Sequence, residues 1–151
     1  MLTLARRYSD APDLDSRLVG LWHECAEHTD GIRLPWSVHY VEFHPYDSAA
    51  KLAAAIARGA FLVSGISAEH PVWTVQQNLR FRAVHDALGH ADGAPFDFEG
   101  ERQAYFSQRR HYPRRFWPVL FTEIVAQAAH YLTYRTFGTQ KIAYMGGDYT
   151  W

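Results

Sequence analysis

The sequence has a single cysteine, Cys25, so no intrachain disulfide forms and a disulfide-stapled secreted scaffold is excluded. With no second thiol or base beside it, Cys25 is also a poor candidate for a nucleophile. Charge of one sign is missing too. Fifteen Lys and Arg stand against sixteen Asp and Glu, a formal net charge of -1, so no global field draws the chain to nucleic acid or an anionic membrane, and any such binding has to be local. No apolar run approaches the roughly 18 residues that cross a bilayer, which removes a membrane partner. The start at Met1 lacks the charged-then-apolar pattern of a secretory signal, and a reducing cytoplasm is the expected compartment. Neither a G-x-S-x-G elbow nor a phosphate-binding glycine loop occurs. Without repeats, low-complexity segments or Pro/Gly-rich linkers, residues 1–151 are expected to form one domain.

What is present suits a folded protein with an enclosed polar site: 48% hydrophobic and 21% charged residues, nine His, nine Phe, nine Tyr and five Trp. Leu14, Leu18, Leu21, Trp22 and Cys25 lie on one stripe of a helix expected over 13–28, with Asp10 or Asp13 as its cap. Residues 37–43 alternate as a strand does and end at Pro45. A helix over 49–58, stopped by Gly59, then leads to a short apolar strand over 61–64. Three helices follow, over 74–88, 98–111 and 115–136, and a tail over 140–145 suits a short edge strand. The fold expected is α+β, a mainly helical core of about five helices with a small peripheral β-α-β sheet.

Chemistry concentrates at His85-Asp86-Ala87-Leu88-Gly89-His90. Five residues turn a continuous helix by about 500°, which leaves the two imidazoles roughly 140° apart. A left-handed Gly89 ending the helix swings His90 back beside His85, so that both share one metal, with Asp86 orienting an imidazole or acting in catalysis. The structural alternative is an ordinary half-buried His85 with His90 at a helix C-terminus. On the last helix Glu123, Gln127, His130 and Tyr134 recur at i, i+4, i+7 and i+11 among Val119, Leu120, Phe121, Ile124 and Val125, a polar stripe on a buried helix. A buried carboxylate needs a metal, a cation or a hydrogen-bond network. The metal reading makes His85, His90 and Glu123 a 2-His-1-carboxylate site for Fe(II), with Zn(II) also compatible. The alternative pairs Glu123 with Arg80, Arg82 or Arg102.

Glu99 and Glu101 open the helix over 98–111, where charge complements the helix dipole. Glu101 is also a candidate general base or, with His130, a ligand of a second metal. Arg109, Arg110, Arg114 and Arg115, with Tyr112 and Phe116 among them, form the one dense basic turn, either solvated or a site for an anionic ligand or nucleic-acid backbone.

At these residues the sequence locally resembles the aromatic amino acid hydroxylases, whose iron is held by a His-Glu-Leu-Leu-Gly-His segment and a later glutamate. The matching stretch is His85-Asp86-Ala87-Leu88-Gly89-His90; Phe106-Ser107-Gln108 looks like that family's Phe-Ser-Gln segment, and Phe121-Thr122-Glu123 falls where its carboxylate ligand lies. The resemblance implies a mononuclear iron site. The pattern from Asn78 to Asp86, through Gly100-Glu101, to residues 122–127 also looks like uncharacterised small proteins of bacteriophages and bacteria. The His85-Asp86 doublet is similar to the central motif of the HD phosphohydrolases, a family with a further upstream histidine ligand; His39, His44 and His70 fall here on a strand or on loops. The expectation is a small metal-binding enzyme: a non-haem iron oxygenase or oxidase acting on a small molecule, in which Gln127, His130 and Tyr134 shape or protonate the bound species. The alternatives are a metal-dependent hydrolase with Asp86 or Glu101 as base, and a metal-stabilised interaction module.

Overall fold

The computed structural model describes residues 1–145. Helices α1 (Leu2–Asp10) and α2 (Val19–Asp30) lead to strand β1 (Ser37–Val41), helix α3 (Ala49–Ala57) and strand β2 (Ala60–Ser64). The helical half follows: α4 (Val75–Gly89), α5 (Phe98–Gln108), two short 3-10 turns (Arg109–His111 and Arg114–Phe116), then α6 (Trp117–Leu120), a π-helical run (Phe121–Ala126) and α7 (Gln127–Tyr134). This is the expected α+β architecture. Among the described residues no helix is long and apolar enough to cross a membrane.

The β-α-β unit forms as its pattern requires. Strands β1 and β2 pair in parallel from Ser37↔Ala60 to Val41↔Ser64, and Ser48 caps α3 by accepting from the Lys51 amide. Leu52, Ala55 and Ile56 of α3, with Phe61 and Val63 of β2, cluster against Ala83 and Ala87 of α4. The opposite side of α4, through Phe81 and Val84, enters the main core of Trp22, Tyr105, Phe116, Leu120 and Val125. Helix α4 is thus packed on two sides, which fixes the orientation of His85 near its end.

One helix was not expected, and three expectations need correction at the level of elements. Helix α1 carries no strong sequence signal; its Ala5 and Tyr8 are buried and it packs on α7. Helix α2 starts at Val19, because the backbone of 13–15 is engaged elsewhere: Ile142 N donates to Asp13 O at 2.9 Å and Asp15 N to Ile142 O at 2.8 Å. That Leu14↔Ile142 bridge, rather than a place at the sheet edge, is where the tail segment pairs. The long C-terminal helix forms over most of its expected span but is interrupted by the π-helical run at Phe121–Ala126. The wider turn shifts the angular phase of every later residue relative to Glu123.

Candidate metal centre

Two helix starts and one close approach assemble the site. A reciprocal capping box anchors α4: Thr74 Oγ1 accepts from the Gln77 amide at 3.1 Å, and Gln77 Oε1 from the Thr74 amide at 3.0 Å. Asp97 caps α5 by accepting from the Gly100 amide at 2.8 Å. Helix α5 lies against the last turn of α4 because Gly89 has no side chain. A Cβ there would stand 3.0 Å from Ala104 Cβ and 3.3 Å from His85 Nδ1. Gly89 lies within the helix and is not left-handed as the sequence suggested; the glycine with positive φ in the loop that follows is Gly93. His90 is the C-cap, at φ -105 and ψ 2, and this departure from helical geometry turns its ring toward His85.

The stripe Glu101, Ala104 and Gln108 of α5, at i, i+3 and i+7, faces α4. Gln108 Oε1 lies 2.9 Å from His85 Nδ1. Glu101 Oε2 lies 3.2 Å from His85 Nε2, and its Oε1 lies 3.5 Å from His90 Nε2. The two Nε2 atoms are 3.1 Å apart, their rings nearly perpendicular at 89°. On the far side His90 Nδ1 meets the Ala94 carbonyl at 2.7 Å. A carbonyl only accepts, so His90 donates through Nδ1; the Gln108 amide oxygen asks the same of His85. Both neutral imidazoles then turn bare Nε2 lone pairs toward each other and toward a carboxylate. Such an arrangement demands a cation at its centre, a metal ion or a proton.

The spacing suits a first-row metal ion. With bonds of about 2.0–2.1 Å, donors stand about 3.0 Å apart in an octahedral site and about 3.4 Å in a tetrahedral one. His85, His90 and Glu101 form a group whose donor atoms all lie within 4.8 Å of one another, and Gln108 and Ala94 are the outer partners that orient metal-bound imidazoles. Without metal, the proton takes the place. Burial works to lower the His85 imidazole, but the hydrogen bond and charge of Glu101 outweigh it and raise it to about 9. Burial works to raise Glu101, yet His85 and His90 hold it at about 2. Asp86 is raised by burial to about 6, with both histidines pulling the other way; it is not the hydrogen-bond partner of either imidazole's outer nitrogen.

The ligating face opens on a cavity of about 730 Å³, within the range of small-molecule sites. The side chains of His85 and Glu101 are 17% and 18% exposed, whereas that of His90 is 1% exposed. The first two line the cavity; His90 closes the site from behind.

Glu123 lines the same cavity but is not among the donors that meet His85 and His90. Its Oε1 accepts from Trp22 Nε1 at 2.7 Å and from His70 Nε2 at 3.2 Å, and its Oε2 from Gln140 Nε2 at 3.1 Å. Among the described residues none of the three candidate arginines pairs with it: Arg80 donates to the Ile32 carbonyl, Arg82 to the carbonyls of Ser64, Ile66 and Ser67, and Arg102 to Glu99. His70 Nδ1 accepts from the amides of Val72 and Trp73 at 3.1 and 3.0 Å, which places its proton on Nε2 and removes it as a metal ligand. Gln127 also lines the cavity, but His130 and Tyr134 do not. His130 Nδ1 meets the Thr136 carbonyl at 3.0 Å, and its ring packs between Tyr8 and Tyr134. The π-helical run separates these later stripe positions from Glu123, and with them a second metal at Glu101 and His130.

The basic turn is partly committed to packing. Arg109 lies over the rings of Phe106 and Trp117 at 4.3 and 4.2 Å, and Arg115 pairs with Glu24 at 3.2 Å. Cys25 is buried and its thiol is pushed up by burial, then by the Glu123 charge. The sequence offered Glu101 as a base or as a ligand of a second metal with His130, not as the carboxylate that meets His85 and His90. No family model, curated protein or solved structure matches the chain.

Proposed function

We propose that the protein is a mononuclear metalloenzyme whose ion is held by His85, His90 and Glu101, and that with iron(II) in this site it is a non-haem oxygenase or oxidase of a small molecule. The observation that carries the reading is the convergence of two outward-anchored imidazoles and one carboxylate at the wall of a 730 Å³ cavity. Iron(II) in a facial triad would supply open positions for O₂ and a substrate, and an electron toward the reduction of O₂, which is the oxidant of the substrate. The chain's own part is to hold the triad through Gln108 and Ala94, to seal one side with His90, and to present Glu123 and Gln127 to the substrate.

A second reading, metal-dependent hydrolysis with zinc or another divalent ion, is favoured by Glu123. A carboxylate fixed by three donors in the cavity suits a general base acting on a water. Oxygen dependence separates the two.

Elemental analysis of protein purified without chelator, with iron restored anaerobically where needed, is expected to find about one ion per chain. The same preparations of His90→Ala and Glu101→Ala are expected to lose it, while Glu123→Gln keeps it. Iron followed by O₂ consumption supports the first reading; zinc without O₂ dependence supports the second. Unchanged metal in both ligand variants overturns the site.

A further inference from the structure

Among the described residues the Glu123 carboxylate meets only donors, and none of them is a lysine or an arginine. It is 8% exposed, and its partners Trp22, His70 and Gln140 all donate, as an ionised carboxylate requires. Trp22 and Gln140 are neutral side chains. His70 is neutral too, since its Nδ1 accepts two backbone N–H groups. Among the described residues no lysine or arginine pairs with Glu123. An ion withdrawn from water without a counter-ion costs several kcal/mol, and here three separate segments hold it in place. His70 is stacked on Trp73 at 4.2 Å, and Trp73 Nε1 donates to the Trp22 carbonyl at 2.8 Å. Such a rigid, charged and uncompensated group is placed to receive a positive charge from outside.

The geometry narrows what brings that charge. Oε1 takes two donors and Oε2 only one, so a lone pair of Oε2 remains. A second metal ion is a poor occupant, because His70 presents an N–H and Glu123 belongs to no group of convergent metal donors among the described residues. The same cavity is lined by Ile124 and by Tyr131 and Phe137, whose rings stack at 4.4 Å and 17°. Such rings favour a cation with a hydrocarbon body over a hydrated metal ion. The one arginine lining the cavity, Arg82, is committed to three backbone carbonyls.

We infer that the Glu123 end of the cavity binds the ammonium group of an amine substrate, donating N–H to Oε2, with its hydrocarbon part against Ile124, Tyr131 and Phe137 and the rest extending toward His85 and Glu101. This rests on the metal site as the reacting centre, but its test does not. Benzylammonium, benzyl alcohol and benzoate are titrated calorimetrically into wild-type protein, metal-loaded and chelator-treated, and into Glu123→Gln and His90→Ala. Glu123→Gln keeps the local packing, since Gln140 turns its amide to accept where it now donates. Benzylammonium is expected to bind at least about tenfold more tightly than the alcohol at millimolar concentrations. That preference is expected to survive metal loss in His90→Ala and to vanish in Glu123→Gln. Binding that depends on metal, a preference that persists in Glu123→Gln, or no preference in wild type overturns the inference. Independently of any variant, benzylammonium is expected to shift the Trp22 indole N–H resonance of wild type. A resonance that stays in place also overturns it.

Discussion

The proton between His85 and Glu101 competes with the metal for one place. In the metal-free fold His85 is raised from 6.5 to about 9, and Glu101 is lowered from 4.5 to about 2. The ion pair therefore stabilises the metal-free protein fully between about pH 4.5 and 6.5. Its contribution fades as pH rises through about 9, where His85 loses its proton, and as pH falls toward 2, where Glu101 gains one. Metal needs the bare Nε2, so affinity is expected to rise up to about tenfold per pH unit until about pH 9. At pH 7 close to one proton leaves for each ion bound. Calorimetry in two buffers of different ionisation heat measures that proton directly; zero release at pH 7 means His85 is already bare. The histidine pair was legible because both imidazoles sit within one turn of a helix end. Glu101 was not, since its meeting with them is a tertiary contact.

Gly89 shows how a local preference yields to packing. In an exposed helix, alanine in place of glycine stabilises by about 1 kcal/mol. Here the new methyl stands 3.0 Å from Ala104 Cβ and 3.3 Å from the His85 ring, so α5 has to move outward and carry Glu101 with it. Gly89→Ala is expected to weaken metal binding about tenfold or more, while the thermal midpoint of the metal-free protein changes by only a few degrees. Metal titration and circular-dichroism melting of the same preparation check both halves, and undiminished affinity removes close approach as the role of Gly89. From the sequence, glycine beside a histidine reads most simply as a helix stop, because chain termination is a local signal and the neighbour across the interface is not. The same limit applies to the last helix. Its length and burial were legible, but the π-helical run that moves His130 and Tyr134 away from Glu123 depends on packing in three dimensions.

At the scale of the whole molecule an ion held by His85, His90 and Glu101 would tie α4 to α5, so its removal is expected to lower stability by mass action. With free metal about a hundredfold above Kd, binding contributes about 2.7 kcal/mol, and for a chain of this size that shifts the midpoint by about 5–10 °C. Chelator is expected to produce this shift in wild type and none in His90→Ala; equal shifts in both mean that the chelator acts elsewhere. The α+β architecture was readable from periodicity and punctuation, element by element. The cavity was not, because its wall draws on loops near residues 44 and 70, on α4 and α5, and on the segment after α7, which no stretch of sequence places together.

All three ligands lie between residues 85 and 101, on one helix pair joined by a short loop. Closing a loop that small costs little entropy, and contacts so near in sequence form early. The α4–α5 hairpin leaves the ribosome ahead of the C-terminal helix, so an ion at the proposed site would fasten a local pair of helices on which that later helix docks.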